Sequence, residues 1–476
     1  MKAHIRNLGA VTQAEIDLKP LTIFVGSNNT GKTWTAYALS AIFGAVWQNY
    51  GDAYVLGRIP ENYPPLQTTF QRITEECTAQ FNIVEFAVEY GETCINSVAR
   101  LACRRLRGFL GTERVSFEDL KVRMELGKAK DRFLERVRAY STEGRFGIGP
   151  RRQEAAVHVL KEKDDSIVHF YSTTEGATLL DKFPARALER WMVGSVFGAF
   201  REALYPHVYI FPTERTTYIT LPFRSSMVDT LTVTTVTGNN QETLQQESGS
   251  LRTQRRLSPA NIFLSDMETA AQIGKLEREK RAKDDLAVRA YIELSYRLEQ
   301  EILDGEIEFS ATTDSGVWQE LLFQPLEGVT LDMPVTSSMV KELSPLALYL
   351  RYLAEPGDLF VIDEPEMNLH PEAQARLTEF LAMLVNAGLR VLFTTHSPYM
   401  VDHLINLMKA AEYENQEEIQ DKFYLQDAQA FIPKEQVSVY LFEDNTATSI
   451  LDEEGMIDWE TFSSVSNRIA QIGFEL

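Results

Sequence analysis

Cysteine is scarce in this chain of 476 residues, which contains only Cys77, Cys94 and Cys103. Three cysteines exclude a disulfide scaffold, and their spacing is not that of a zinc site. Long apolar runs are also missing, because no stretch approaches the ~20 residues that a membrane-spanning helix needs. The N-terminus lacks the apolar core of a signal peptide. We therefore expect a cytoplasmic protein that makes no contact with a membrane.

Positively charged residues are relatively few: the chain has 47 Lys and Arg but 68 Asp and Glu, which gives a net charge of −21. Such a surface repels nucleic acid unless basic residues are gathered in one place. They are gathered between Arg100 and Lys163, where 17 Lys or Arg stand against nine Asp or Glu. This region is either a contact surface for nucleic acid or an acidic protein, or a solvated helical face. Its densest points are Arg104, Arg105, Arg107, Arg151 and Arg152.

A phosphate-binding motif stands near the N-terminus, between an apolar strand at residues 21–25 and a helical pattern at residues 33–47. The glycines let backbone N–H groups point at phosphate oxygens, and the helix N-terminus adds partial positive charge. In this motif the lysine neutralises the β- and γ-phosphates and the threonine hydroxyl ligates Mg²⁺. The motif predicts ATP and Mg²⁺ as ligands of eight residues: Gly26, Ser27, Asn28, Asn29, Thr30, Gly31, Lys32 and Thr33.

A second motif consists of two carboxylates at the end of an apolar strand, Asp363 and Glu364. In a parallel sheet, ligand chemistry takes place at the carboxyl ends of the strands. We expect Asp363 to hold Mg²⁺ and Glu364 to act as the general base that activates water. Acidic residues often end strands without any such role, so this prediction depends on the phosphate loop.

A histidine ends the next apolar strand, at residues 389–395, one strand–helix–strand unit beyond Asp363. An imidazole in that place could contact the γ-phosphate, which makes His396 a candidate catalytic residue. The alternative is a histidine with a purely structural role.

These segments together resemble four motifs of ABC-type ATPases. Residues 26–33 are similar to Walker A, 359–364 to Walker B, 366–370 to the D-loop and 394–397 to the H-switch. The opening at residues 5–10 and the pair Asn28-Asn29 are similar to the RecF/SMC/OLD-like group. The resemblance implies an α/β fold, a P-loop ATPase head in which helices flank a mixed sheet. It also implies homo-oligomers in which two heads pair head to tail around ATP.

The resemblance further implies a signature motif that completes the phosphate loop of the partner head. Ser337 and Ser338, with Lys341 nearby, are the candidates. Met339 stands where the family usually has glycine. A serine at a helix N-cap explains the same pattern, and both interpretations can hold together.

The large separation of Lys32 and Asp363, 331 residues, predicts an insertion within the head. No sustained heptads are present, which excludes a long coiled coil. Residues 68–110 and 116–138 predict separate helices of a compact bundle, with breaks at Gly91, Gly108 and Gly111, and residues 275–304 predict one charged helix. The predicted division is 1–66 for the first head segment, 67–200 for the helical insertion, 201–304 for a return strand, mobile polar loop and charged helix, and 305–476 for the rest of the head.

The functional expectation follows from the resemblance. Stand-alone OLD-like ATPases of this kind occur in bacterial anti-phage systems such as Septu and PARIS, beside a separate nuclease or toxin. We expect an ATPase that acts as a nucleotide-driven switch or sensor for such an effector, because the chain has no nuclease motif of its own. The alternative is a RecF- or SMC-like DNA-repair clamp.

Arg215 belongs to a Pro-x-x-Arg element. We expect it to lie either near the nucleotide or on the surface.

Overall fold

The computed structural model describes residues 1–147, 156–172, 184–221, 223–224, 258–273, 275–310, 318–452, 454, 457 and 471–472. The strands are β1 Lys2–Leu8, β2 Val11–Asp17, β3 Leu21–Val25, β4 Thr78–Asn82, β5 Lys121–Glu125, β6 Thr142–Gly147, β7 Ala156–Lys161, β8 Ile167–Ser172, β9 Val208–Phe211, β10 Phe223–Arg224, β11 Gly305–Phe309, β12 Trp318–Gln319, β13 Leu321–Pro325, β14 Leu331–Asp332, β15 Leu359–Asp363, β16 Arg390–Thr395, β17 Val437–Glu443 and β18 Thr446–Ser449. The α-helices are α1 Lys32–Phe43, α2 Tyr50–Val55, α3 Pro64–Glu76, α4 Ile83–Phe109, α5 Lys130–Ala139, α6 Ala185–Leu204, α7 Arg215–Tyr218, α8 Pro259–Gln272, α9 Lys275–Asp284, α10 Leu286–Leu298, α11 Ser338–Tyr352, α12 Pro371–Asn386 and α13 Pro398–Ala411.

The described residues form two compact units. The insertion unit contains Met1–His4 and Tyr37–Val208, and the head unit contains Ile5–Ala36 and most of the described residues from Tyr209 onward. No described helix is both long and apolar enough to cross a membrane.

The head unit is built on one mixed sheet with the strand order β1-β2-β18-β17-β3-β16-β15-β9. Its centre is parallel, since β3 pairs in parallel with β16 and β17, and β16 pairs in parallel with β15. Strands β3 and β15 are buried over their whole length, as the continuous apolar runs predicted. The predicted α/β class, with a mixed sheet flanked by helices, is confirmed.

The register of the sheet brings the motif residues to one edge. Asp363, the last residue of β15, is paired with Thr394 of β16, and Thr395 is paired with Val25, the last residue of β3. The phosphate loop therefore begins beside the two strand ends that carry the carboxylates and the histidine. This common edge is where nucleotide chemistry takes place in parallel sheets.

Helix α11 packs in the core of the head unit although Pro345 lies inside it. The ring of Tyr349 stacks on that of Phe360 in β15, with centroids 5.1 Å apart and planes inclined by 8°. Such aromatic contacts bury large apolar areas and fix relative orientation. The helix is thereby held against the strand that ends in Asp363.

The insertion unit differs from the predicted helical bundle. It contains an antiparallel sheet in the order β4-β8-β7-β6 beside its helices. The helix predicted over residues 116–138 is wrong in its first part, where residues 121–125 form β5, but residues 130–138 do lie in the helix α5. Residues of β5 alternate between exposed and buried, the period of a strand.

The predicted helix break at Gly91 is also wrong. Helix α4 continues through this position, since a single glycine costs a helix only about 1 kcal/mol. A Cβ atom at Gly91 would lie 3.0 Å from Cε1 of Phe133. The glycine therefore allows α5 to approach α4 closely.

The single helix predicted over residues 275–304 is interrupted. Asp285 caps α10 and accepts hydrogen bonds from the N–H groups of Ala287 and Val288, so α9 and α10 are separate. A π-helical turn, Glu299–Leu303, follows, and Gly305 begins β11 rather than only ending the helix. The polar loop predicted within residues 201–304 falls largely on residues 225–257, which lie outside the described residues.

Candidate functional site

The phosphate loop has the backbone that its glycines permit. Gly26 has φ +137° and a Cβ there would lie 2.5 Å from the carbonyl oxygen of Phe442, while Gly31 has φ +97°. Lys32 Nζ donates to the carbonyl oxygens of Gly26 at 2.8 Å and Ser27 at 2.7 Å. Burial lowers the pKa of Lys32, and the carboxylates of Glu364, Asp363 and Glu366 oppose this shift. The lysine thus lies inside the loop and close to the acidic strand end.

Asp363 joins the loop to the sheet edge. Its Oδ1 accepts hydrogen bonds from Thr33 Oγ1 at 2.9 Å and from Thr394 Oγ1 at 2.5 Å, and Thr213 Oγ1 lies 3.3 Å from its Oδ2. Burial raises the pKa of this carboxyl, and the bonds from Thr394 and Thr33 act against the increase. Thr33 and Asp363 are 330 residues apart in sequence, so the contact joins the two predicted motifs.

Glu364 and His396 face each other at this edge. Nδ1 of His396 lies 3.5 Å from Oε1 of Glu364 and 3.6 Å from Oε1 of Glu366. The interaction with Glu364 raises the pKa of His396, and the interaction with His396 lowers the pKa of Glu364. A carboxylate that stays ionised is able to accept a proton from water, as a general base must.

Glu366 holds the end of β16 in place. Its Oε1 accepts hydrogen bonds from Thr395 Oγ1 at 2.6 Å and from the backbone N–H of His396 at 2.8 Å. Burial raises the pKa of Glu366. The carboxylate therefore fixes the backbone from which the His396 ring projects.

A cavity of about 520 Å³ opens between these groups. Sequence reasoning missed two of its lining residues, Ala10 and Trp34, because neither belongs to the phosphate consensus. The indole of Trp34 is partly buried and covers Gly9, where a Cβ would lie 2.4 Å from the ring. The cavity is lined by Ala10, Asn28, Asn29, Thr30, Gly31, Lys32, Thr33, Trp34 and Glu364.

The two candidate signature serines lie at the start of α11. Ser337 is its N-cap and accepts a hydrogen bond from the N–H of Val340 at 3.2 Å, while Ser338 is the first helical residue. Both side chains are exposed, and Lys341 Nζ donates to the carbonyl oxygen of Pro334 at 2.8 Å. The N-cap role is thus present, and the exposed serines are also accessible to another molecule.

Arg215 is neither on the surface nor in the nucleotide cavity. It is fully buried and forms an ion pair with the buried Glu342 of α11 at 2.7 Å. Its guanidinium donates to the carbonyl oxygens of Asp363 at 2.8 Å and Glu364 at 3.0 Å. A Pro-x-x-Arg element after a strand was the only signal in the sequence, and it did not indicate these partners.

The oxygen atoms around Asp363 suit a magnesium ion. Mg²⁺ prefers oxygen ligands and commonly uses one or two protein groups together with phosphate oxygens and water. The hydroxyl of Thr33 and the carboxylate of Asp363 are such a donor pair, 2.9 Å apart. Among the described residues no group of three or more His, Cys, Asp or Glu could hold a metal on its own. The pair therefore fits an ion that arrives with a nucleotide.

Four arginines of the basic region, Arg100, Arg104, Arg105 and Arg107, lie on the second half of α4. Arg104 and Arg107 line two cavities, of about 730 and 920 Å³, and Arg105 lines the first. Arg100 pairs with Glu61 and Arg107 donates to the carbonyl oxygen of Glu113. Arg151 and Arg152 lie outside the described residues.

One family model matches the chain, over residues 238–402, and its description is "AAA domain, putative AbiEii toxin, Type IV TA system". The matched stretch contains Ser337, Asp363, Glu364 and His396 but not the phosphate loop. Over this part the chain is similar to an AAA-type ATPase domain. Among curated proteins, none matches.

Solved structures similar to this chain include three heads of SMC proteins. One is bound to the C-terminal winged-helix domain of ScpA (12% identity, 95% of this chain and 98% of that chain, TM-score 0.36). Another has an extended coiled coil and is bound to the C-terminal domain of ScpA derived from Pyrococcus furiosus (11% identity, 98% of this chain and 98% of that chain, TM-score 0.36). The third is the SMC head domain from Thermotoga maritima (11% identity, 94% of this chain and 97% of that chain, TM-score 0.31).

Proposed function

We propose that this protein binds MgATP in the cavity of the head unit, hydrolyses it, and acts as a nucleotide-driven switch. The observation that carries the proposal is the 2.9 Å hydrogen bond from Thr33 Oγ1 to Asp363 Oδ1. It joins a phosphate-binding loop to the strand end that supplies Glu364. The similarity of residues 238–402 to an AAA domain supports the same activity.

The residues divide the chemistry among themselves. Lys32 and the N–H groups of the loop bind the β- and γ-phosphates of ATP. Thr33 and Asp363 would hold Mg²⁺, which when bound would offset negative charge on the phosphates. Glu364 takes the proton of the attacking water. His396, whose pKa is raised beside Glu364, orients that carboxylate and can donate to a phosphate oxygen.

The switch depends on a second copy of the chain. Asn28 and Asn29 line the loop cavity and are exposed, and the exposed Ser337 and Ser338 present hydroxyls suited to contact phosphate oxygens. Val335, close to them, is 70% exposed, as apolar residues at contact surfaces often are. We infer that ATP joins two heads, and that hydrolysis releases them.

We propose that the effector of this switch is a separate protein. The family description names a putative toxin and a type IV toxin–antitoxin system, which supports a role in a system of that kind. The separate nuclease or toxin that we propose as the effector is expected from the resemblance to OLD-like ATPases. Defence against phage is the setting that we propose for it.

Hydrolysis and mass together test the proposal. We expect the purified chain to release phosphate from ATP only with Mg²⁺, and light scattering to show a twofold increase in mass when ATP is bound. Chelation of the metal should abolish both effects.

A toxin or nuclease recovered with the native protein would support the defence role, and DNA alone would favour a clamp. Phosphate release that is absent with Mg²⁺ would contradict the proposal.

A DNA clamp is the second candidate function, favoured by the arginines of α4. The described structure gives Arg104 and Arg105 no ion-pair partner, and both line the 730 Å³ cavity in a chain whose net charge is −21. Unpaired arginines in a groove suit the phosphates of a nucleic-acid strand.

Charge reversal tests this candidate. If DNA is bound there, Arg104→Glu with Arg105→Glu should weaken binding and reduce the salt dependence of the affinity by about 0.9 per lost phosphate contact, measured by fluorescence anisotropy at several salt concentrations. The matched control is Arg58→Glu with Arg72→Glu, which changes the charge equally at two exposed positions of the same unit. Equal effects of the two double variants would reject a specific groove.

A further inference from the structure

Arg215 contacts two parts of the head unit that the proposed reaction needs. Its Nη1 donates to the carbonyl oxygens of Pro212 at 3.0 Å and Asp363 at 2.8 Å. Its Nη2 donates to the carbonyl oxygen of Glu364 at 3.0 Å and lies 2.7 Å from Oε2 of Glu342. One buried guanidinium thus contacts the turn that carries the base and the helix that carries the signature serines.

The backbone of Glu364 requires such support. Its φ is +45°, in the left-handed region that residues other than glycine rarely adopt. A conformation of this kind persists only when surrounding contacts determine it. The contacts here include the bond from Glu364 N–H to Thr394 Oγ1 at 3.1 Å, the bond from Met367 N–H to the carbonyl oxygen of Glu364 at 3.2 Å, and the two bonds that Arg215 donates to the carbonyls of Asp363 and Glu364. Because Arg215 supplies two of these four bonds, the direction of the Glu364 side chain depends on it.

Glu342 extends this set of contacts to α11 and the D-loop. It is 1% exposed, and its Oε1 accepts a hydrogen bond from Asn368 Nδ2 at 3.1 Å. Asn368 also has a left-handed backbone, with φ +61°. Breaking a buried ion pair leaves an uncompensated charge and is strongly unfavourable. A displacement of α11 at Glu342 must therefore move Arg215 or break the pair.

We propose that Arg215 is a positioning residue for ATP hydrolysis and that, through Glu342, it makes the orientation of Glu364 depend on the position of α11. The proposal rests on the function proposed above. Its consequence is that contacts made by Ser337 and Ser338 affect the rate at which the same chain hydrolyses its own ATP. Arg215 acts through the backbone of Glu364 and does not touch the nucleotide.

Substitution by lysine tests the positioning role. Lysine keeps the charge but cannot reach the two carbonyls and Glu342 with a planar fork. For Arg215→Lys we expect kcat to fall at least tenfold while the dissociation constant of ATP, measured with radiolabelled nucleotide, stays within twofold. The split arises because the phosphate loop is unchanged and only the base is misplaced.

Arg351→Lys is the matched control. Arg351, near the end of α11, is also a buried arginine: it is 7% exposed, donates to the carbonyl oxygen of Ile307 at 2.8 Å and pairs with Glu299. None of these partners belongs to the nucleotide site. We expect a similar loss of melting temperature but an unchanged kcat per folded molecule. An Arg215→Lys protein with the same behaviour would overturn the proposal.

Glu342→Gln tests the link to α11 and keeps the proposal falsifiable if Arg215→Lys does not fold. We expect kcat to fall at least threefold at unchanged ATP affinity, and the double variant with Arg215→Lys to be no slower than Arg215→Lys alone, because both act through one contact. Additive effects, or a wild-type rate in Glu342→Gln, would overturn the link. Wild-type hydrolysis is measured first, since its absence would refute the proposed function itself and this inference with it.

Discussion

Replacement of Glu364 by glutamine should reduce the rate of ATP hydrolysis by about 10²-fold or more, the usual contribution of a general base. Glutamine has the same shape but cannot take a proton from water at neutral pH. The bonds that hold Lys32 and Asp363 do not involve this side chain, so ATP should still bind. The variant should therefore retain ATP and stay paired with a second copy. Phosphate release and light scattering measure the two effects.

The control for this prediction is Glu372→Gln. Glu372 is an exposed carboxylate in the first turn of α12 and pairs with Arg376, so its neutralisation changes the net charge equally. It should leave hydrolysis unchanged. A Glu364→Gln protein that hydrolyses ATP at the wild-type rate would reject the assignment of this residue as the base.

Replacement of Lys32 by alanine should weaken ATP binding by at least about 30-fold, which corresponds to about 2 kcal/mol, the lower end of the cost of truncating one partner of a buried charge pair. Lys32 is 4% exposed, and water cannot fully replace its charge at that position. Because binding is lost, hydrolysis and ATP-dependent pairing should disappear together. Isothermal titration calorimetry with MgATP measures the affinity directly.

Lys19→Ala is the control for loss of a lysine in the same unit. Nζ of Lys19 donates to the carbonyl oxygen of Lys434 at 3.4 Å and contacts no residue of the cavity. This variant should bind ATP like the wild-type chain. Normal ATP affinity in Lys32→Ala would mean that the nucleotide does not lie in the phosphate loop.

The two variants also distinguish the residue needed for ATP binding from the residue needed for hydrolysis. Glu364→Gln should bind without turnover, whereas Lys32→Ala should do neither, because the lysine binds the ground state and the glutamate acts only on the attacking water. If both lost binding, Glu364 would contribute to the shape of the cavity rather than to the chemical step.

Short segments of sequence were sufficient to predict the core of the site. The phosphate loop requires glycine where φ is positive, as at Gly26 and Gly31, and its pattern is contained within eight residues. The apolar runs that precede Gly26 and Glu364 indicated buried parallel strands, whose carboxyl ends share one edge. The structure brings four predicted site residues together, Lys32, Asp363, Glu364 and His396. The catalytic roles of these residues remain predictions.

The insertion was harder to predict because its sheet is held by pairings that no local pattern specifies. Strands β4 and β8 pair although they are distant in sequence: Ala79 and its partner Phe170 are 91 residues apart. Gly91 indicated a helix break from its low helical propensity, but close packing against Phe133 decided its place inside α4.

By itself, the sequence was enough to predict a phosphate-binding loop and the strand ends that carry carboxylates, because those properties depend on the backbone of a few consecutive residues. The tertiary structure alone decided that Arg215 is buried behind Glu364 and paired with Glu342. These three residues come from β9–α7, the end of β15 and α11, so only the packing of those elements brings them within hydrogen-bond distance. The energetic effect of a buried charge depends on its partners, and when those partners are distant in sequence only the fold brings them together.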